Sequence, residues 1–277
     1  MIYLTCFVAE ELLKKKKKVS PDLGITFVSP IYRNEEVVLC GEEVPFEVIK
    51  YVATKKRYSV FVFEKGELKP IQLFSEKTNL FYKLVTYKPN TAPTIQISGT
   101  HMHRVVNSDP WKDAMEKVKL IAPKSNETGL DSCTGLGYSA IISARKCKKI
   151  ITVEKDENVI EIAKMNPWSR ELFRAKNIEL MMDEIQNAVK RFKEQSFDFI
   201  LHDPPQFYHA KELYSRPLYK EFYRVLKVNG RLFHYVGKVG TRTGRRYIEQ
   251  IKQRLKETGF LPKWSERTMG FLCWRRD

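Results

Sequence analysis

The chain has no run of 18 apolar residues, so no part of it reads as a membrane-spanning helix. It also lacks the order of a secretory leader, because its apolar start (residues 1–13) precedes the lysine run at 14–18. Cysteine is sparse. Cys6, Cys40, Cys133, Cys147 and Cys273 are odd in number, scattered and without a CxxC pair. That pattern excludes a disulfide framework and a zinc site. The expectation is a cytoplasmic protein with no membrane and no metal. Internal repeats are absent, and the lysine run is the only low-complexity tract. Acid is short relative to base: 49 Lys and Arg face 33 Asp and Glu among 277 residues, a formal net charge of +16. The excess is uneven, +4 over residues 1–100 and +9 over residues 221–277. Each cation that meets a phosphate displaces a condensed counterion, so a nucleic acid is the expected partner. A well-solvated, charge-rich surface is the alternative.

What is present divides into two textures. Residues 25–28, 36–39, 46–52, 58–63, 69–74, 81–87 and 95–97 read as short strands rich in β-branched and aromatic side chains, separated by turns such as Glu64-Lys65-Gly66-Glu67. A short helix at 9–18 with a solvated lysine end precedes them. Residues 1–106 are therefore expected to form a smaller β-rich domain. From Asp109, an N-cap followed by Pro110 at the first helical position, strands alternate with helices. Helices are expected at 111–121, from 138, and at 157–165, 184–194, 210–226 and 244–258. Strands are expected to end at Asp131, Val153, Met182, His202, Val236, Trp264 and Trp274. The fold class is α/β: a doubly wound, seven-stranded, mostly parallel sheet over residues 107–277, with helices on both faces.

Ligands of such sheets bind beyond the carboxyl ends of the strands. Four features stand there. Leu130-Asp131-Ser132-Cys133-Thr134-Gly135-Leu136-Gly137-Tyr138 is a strand-to-helix turn whose glycines admit a ligand close to the main chain. Glu154, 23 residues after Asp131, is placed to accept ribose hydroxyls, with Lys155 beside it. Asp183 can reach an adenine amino group. The strand 197–202 ends in His202-Asp203-Pro204-Pro205, where the Asp203 carboxylate and Pro204 carbonyl make an acceptor-rich corner suited to the two hydrogens of an amino group. His202 is expected to be a packed core residue, with a supporting role behind the corner as the alternative.

Together these residues resemble the motifs of class I S-adenosylmethionine-dependent methyltransferases, and Asp203-Pro204-Pro205 resembles the signature of enzymes that methylate amino nitrogens. Met102-His103-Arg104, Asn166-Pro167-Trp168-Ser169, Leu213-Tyr214-Ser215 and residues 231–237 are further similar to an archaeal family that includes ribosomal-RNA N4-cytidine methyltransferases. The resemblance implies a Rossmann-like methyltransferase domain with S-adenosyl-L-methionine as cofactor. Asp131, Cys133, Thr134, Gly135, Gly137, Tyr138, Glu154, Lys155, Asp183 and Asp203 would hold that cofactor. Asp203, Pro204, Pro205 and Phe207 would form the catalytic corner. Two departures stand out: Cys133 replaces the first glycine of the turn, and Gln206 follows the prolines where an aromatic is usual.

Base stacking would then fall to Phe207 or Tyr208. His103, Arg104, Tyr208, Lys238, Arg242, Arg245 and Arg246 are the candidate RNA contacts, and the N-terminal domain is expected to help bind RNA. Methylation at pyrimidine C5 is disfavoured, because it requires a cysteine nucleophile and none follows Asp203 before Cys273. The alternatives are an aminopropyl transferase using decarboxylated cofactor, and a non-catalytic RNA-binding protein on the same fold.

Overall fold

The structure is a computed structural model that describes residues 1–55, 58–106, 108–205, 210–237 and 242–276. The chain divides into two compact units: Met1–Lys112 with Asn158–Arg170, and Asp113–Glu157 with Glu171–Asp277.

Among the described residues, the first unit holds the helices Cys6–Leu13 and Phe46–Ala53 and three small antiparallel sheets, two of three strands and one of four. Thr5 caps the opening helix by accepting from the Val8 amide at 3.2 Å. That helix ends at Leu13, so the lysines lie outside it rather than along its last turns. Residues 46–52, expected as a strand, are helical. Pro45 fixes the entry, Glu47 sits in the first turn, and Phe46, Ile49 and Val52 recur at helical spacing, with Ile49 and Val52 fully buried. Both helices share one core with Ile2, Leu4, Val37, Leu39 and Phe63.

The second unit is built on seven strands, β1 (Thr128–Asp131), β2 (Lys149–Glu154), β3 (Ile178–Met182), β4 (Phe197–His202), β5 (Leu226–Tyr235), β6 (Phe260–Ser265) and β7 (Gly270–Arg275). Their order across the sheet is β3-β2-β1-β4-β5-β7-β6, and among the described residues only β7 runs antiparallel to its neighbours. The order reverses between β1 and β4, which leaves a crevice at their carboxyl ends. The central strands β1 and β4 are nearly wholly buried, whereas the edge strands β3 and β6 are partly exposed. Leu130, Ile200 and Leu232 join Tyr219, Phe222, Ile251 and Leu255, from the helices Arg216–Val225 and Arg242–Glu257, in one buried core.

Two expected helices are shorter than the sequence pattern suggested. Residues 184–194 give one helical turn, Ile185–Ala188, and a 3-10 turn ending at Arg191. The segment 210–226 is broken at Ser215, whose hydroxyl caps a new helix just before Pro217. At the amino ends of the strands, Glu127 pairs with Arg231 at 2.5 Å, and Asp198 accepts from the Thr128 amide at 2.8 Å and from Lys227 at 2.8 Å. These charges tie strands together at the end away from the crevice.

Gly129 lets β1 pass beneath the Phe199 ring, and a Cβ there would lie 2.1 Å from Phe199 Cζ. Gly129→Ala is expected to destabilise the protein by about 2–3 kcal/mol through overpacking. Chemical denaturation measures this, and an unchanged midpoint would contradict it.

Candidate functional site

The sheet brings the tips of β1, β2, β3 and β4 to one edge. The parallel register sets Asp131 beside Thr152 and Leu201, and Glu154 beside Met182. The turn after β1 is tied to both neighbours: the Ser132 amide donates to Leu201 O at 2.9 Å and the Thr134 amide to Val153 O at 3.0 Å. Thr134 and Thr152 hydroxyls meet at 2.6 Å. Gly135 and Gly137 take φ of +54° and +80°, conformations that glycine adopts without strain. A Cβ on Gly137 would also press within 2.7 Å of Leu172. Tyr138 is buried as the first residue of the helix that follows. Cys133, half-buried in the turn, has its thiol pushed well up by burial and by Glu154.

Glu154 organises this turn. Its Oε2 accepts from the Gly135 amide at 2.9 Å, while Oε1 accepts from Lys155 and Asp156 amides at 3.0 and 3.1 Å. A carboxylate offers about four acceptor positions, so the two oxygens retain capacity for a ribose hydroxyl. The fit to an adenosyl cofactor rests on that capacity and on the glycine turn tied to the same carboxylate. Lys155 is exposed. Asp183 follows β3, where its amide donates to Glu154 O at 2.9 Å and its carboxylate binds the Glu184 amide and Arg191.

Asp131 is fully buried and accepts from Ser139 at 3.1 Å and from Thr152 at 2.7 Å. Burial pushes its pKa up to about 7 against those two bonds, with Asp203 and Glu154 adding repulsion. The folded protein thus keeps a proton that the unfolded chain releases near pH 4 (a free aspartate titrates at about 3.9). The contribution of Asp131 to stability should therefore fall as pH rises from about 4 to about 7 and level off above that range, while His202 and His234, which burial keeps neutral, contribute in the opposite sense. Asp131→Asn is expected to remove that contribution, so the variant should gain stability relative to the unaltered chain as pH rises through this range. Denaturation curves at several pH values test it, and equal slopes in both proteins would refute it.

The corner after β4 is braced from three directions. His202 is fully buried and burial drives its pKa down to about 4, so it is neutral. Its Nε2 lies 2.8 Å from Leu213 O, which can only accept, so Nδ1 accepts from the Ser132 hydroxyl at 2.6 Å. His202 packs as expected, yet it also joins the cofactor-side turn to the segment beyond the prolines. Tyr214 donates to Pro205 O at 2.8 Å. Lys117, on the helix Pro110–Ile121, binds Asp203 Oδ2 at 2.6 Å and Asp113 at 2.7 Å. Its ammonium also lies 4.3 Å from the centre of the Tyr235 ring. Burial opposes the lysine's charge, but Asp203 and Asp113 together raise its pKa. Burial raises the Asp203 carboxyl, and the Lys117 ammonium works against that.

Lys117 escaped the sequence reading, although a signal existed. It falls within the buried stripe Ala114, Val118 and Ile121, where a lysine requires a partner. Phe207, Tyr208 and Lys238 lie outside the described residues, as does the side chain of Arg242. Arg245 and Arg246 are exposed in the first turns of the helix Arg242–Glu257. His103 and Arg104 belong to the first unit, where the His103 ring meets the Thr94 hydroxyl at 2.9 Å.

Residues 133–274 match the spermine/spermidine synthase domain. Over 282 positions the chain is 37% identical to the uncharacterized protein MJ1233 of Methanocaldococcus jannaschii, covering 99% of this chain and 95% of the relative. It is 28% identical over 190 residues to the 23S rRNA (uracil(1939)-C(5))-methyltransferase RlmD of Legionella pneumophila, covering 66% of this chain and 40% of RlmD. A spermidine synthase solved with the transition-state analogue AdoDATO shares the fold, with a TM-score of 0.58 at 15% identity over 74% of this chain and 72% of that one. The spermidine synthase of Thermotoga maritima gives a TM-score of 0.56 at 14% identity, over 78% and 71%.

Proposed function

Since the chain belongs to the spermine/spermidine synthase domain family, we propose that its second unit moves an alkyl group from a sulfonium nucleoside to an amine. The donor is S-adenosyl-L-methionine, and the acceptor is an exocyclic amino nitrogen of RNA, N4 of a ribosomal-RNA cytidine fitting best. When bound, the cofactor supplies an electrophilic methyl group.

One observation carries this reading. Asp203-Pro204-Pro205 stands at the tip of β4, beside the glycine turn of β1, with Lys117 taking Oδ2 of the aspartate. Oδ1 and the Pro204 carbonyl are then the acceptors for the two amine hydrogens. Holding those hydrogens localises a lone pair otherwise delocalised into the base, and orients it for in-line attack. Glu154 would hold the ribose and Asp183 the adenine side. Arg245 and Arg246 lie near a helix N-terminus, where the backbone dipole disfavours cations. Their placement suits RNA phosphates.

The RlmD relatives act, by name, on a uracil C5. That chemistry requires a thiolate. In this chain Cys133 lies in the β1 turn and Cys273 is wholly buried in β7, and burial holds both thiols protonated. A second reading, aminopropyl transfer to a polyamine, is favoured by the family match itself.

Calorimetry with S-adenosylmethionine and with its decarboxylated form separates the two donors. Mass spectrometry of nucleosides from RNA incubated with the protein and S-adenosylmethionine should reveal N4-methylcytidine. No new methylated nucleoside, together with tighter binding of the decarboxylated donor, would overturn the methyl-transfer reading.

A further inference from the structure

Polyamine acceptors are cations, and a site that takes them needs unpaired carboxylates. Two carboxylates do converge at this corner, Asp113 and Asp203. Between them sits a buried ammonium of the chain's own, 2.7 and 2.6 Å from the respective oxygens and 4.3 Å from the centre of the Tyr235 ring. Two acids and an aromatic face around one nitrogen form the set of contacts that an alkylammonium ligand would make. His202 adds no charge. Lys117 precedes residues 133–274, so the family match does not include it.

We propose that Lys117 is a specificity-determining residue: its ammonium occupies the place of a cationic amine, so the corner accepts a neutral amino group and rejects polyamines. The proposal deepens the methyl-transfer reading and rests on it for the nature of the true acceptor. Asp113, Asp203 and Lys117 together carry one negative charge, which a sulfonium donor cancels, leaving no charge to attract an ammonium. Without Lys117 the same corner carries two, enough for a donor and an ammonium together.

The test is calorimetric titration of putrescine into the protein saturated with sinefungin, an unreactive analogue of S-adenosylmethionine whose amine carries the positive charge of the sulfonium, for the unaltered chain and for Lys117→Met. The unaltered chain should show no binding at millimolar putrescine. The variant should bind it at least about 30-fold more tightly, a discounted share of one added charge contact at roughly 4 Å. Micromolar putrescine binding by the unaltered chain would overturn the proposal, whether or not the variant folds. So would a folded Lys117→Met, judged by retained sinefungin affinity, that gains nothing. A lysine acting only as packing would lower stability without creating diamine affinity. Neither titration requires RNA or methyl transfer. Absence of methylated nucleosides would therefore count against the proposed reaction and leave the exclusion of diamines standing.

Discussion

Asp203→Asn should lower methyl transfer by roughly 100-fold or more while leaving cofactor affinity nearly unchanged, a loss typical of removing one aligned charged group. The amide keeps the size of the carboxylate but offers one acceptor oxygen instead of two. Lys117 would claim that oxygen, because its other partner, Asp113, lies on the helical turn before it and cannot satisfy all three ammonium hydrogens. The acceptor amine would then face an NH2 group that can only donate. Single-turnover transfer measured beside calorimetry of the cofactor separates chemistry from binding. Full activity in the variant would remove the aspartate from the mechanism. Asp203→Ala is a harsher change, since it leaves Lys117 buried with one carboxylate, so its loss of activity would be mixed with destabilisation.

Glu154→Ala should cost the cofactor on the order of 100-fold in affinity, the value of one or two hydrogen bonds to a charged acceptor. The same carboxylate accepts from the Gly135, Lys155 and Asp156 amides, so its removal also releases the glycine turn that faces the ligand. Glu154→Gln keeps one acceptor oxygen and should fall between the two. Titration with S-adenosylhomocysteine is the measurement of choice, because that ligand is uncharged at sulfur and reports the ribose contact free of sulfonium electrostatics. Unchanged affinity in the alanine variant would place the nucleoside elsewhere.

The methyl-transfer and polyamine readings share a fold, a donor class and most of the strand-tip acids. They differ in what the acceptor corner can attract. A corner already holding a lysine between its carboxylates favours a neutral nucleophile, and a chain of net charge +16 favours a polyanion over a polycation. Membership of the family and identity of the acceptor are thus separable questions, and the proposed role of Lys117, outside the matched domain, bears on the second.

The sequence by itself determined the sheet of the second unit, because each parallel strand is a short apolar run closed by an acid or a turn. β1, β3 and β4 end at Asp131, Met182 and His202, as their residues dictated. It also placed Asp131, Glu154, Asp183 and Asp203 at strand tips, since in a parallel sheet the residue after the last apolar position lies at the ligand edge. Short amphipathic stretches were less determined. Residues 46–52 are rich in β-branched and aromatic side chains, yet Pro45 and a stripe at helical spacing make them a helix packed on a shared core. The break at Ser215 was legible in Ser215 and Pro217, and the apolar periodicity on either side concealed it. Only the tertiary structure decided the acceptor corner. Lys117 and Asp203 stand 86 positions apart, and His202 reaches Ser132 across 70, so no local pattern relates them. Their meeting follows from strand order and helix packing. Burial then sets their charges, since a lysine is kept in such a place only by the carboxylates that the fold delivers to it.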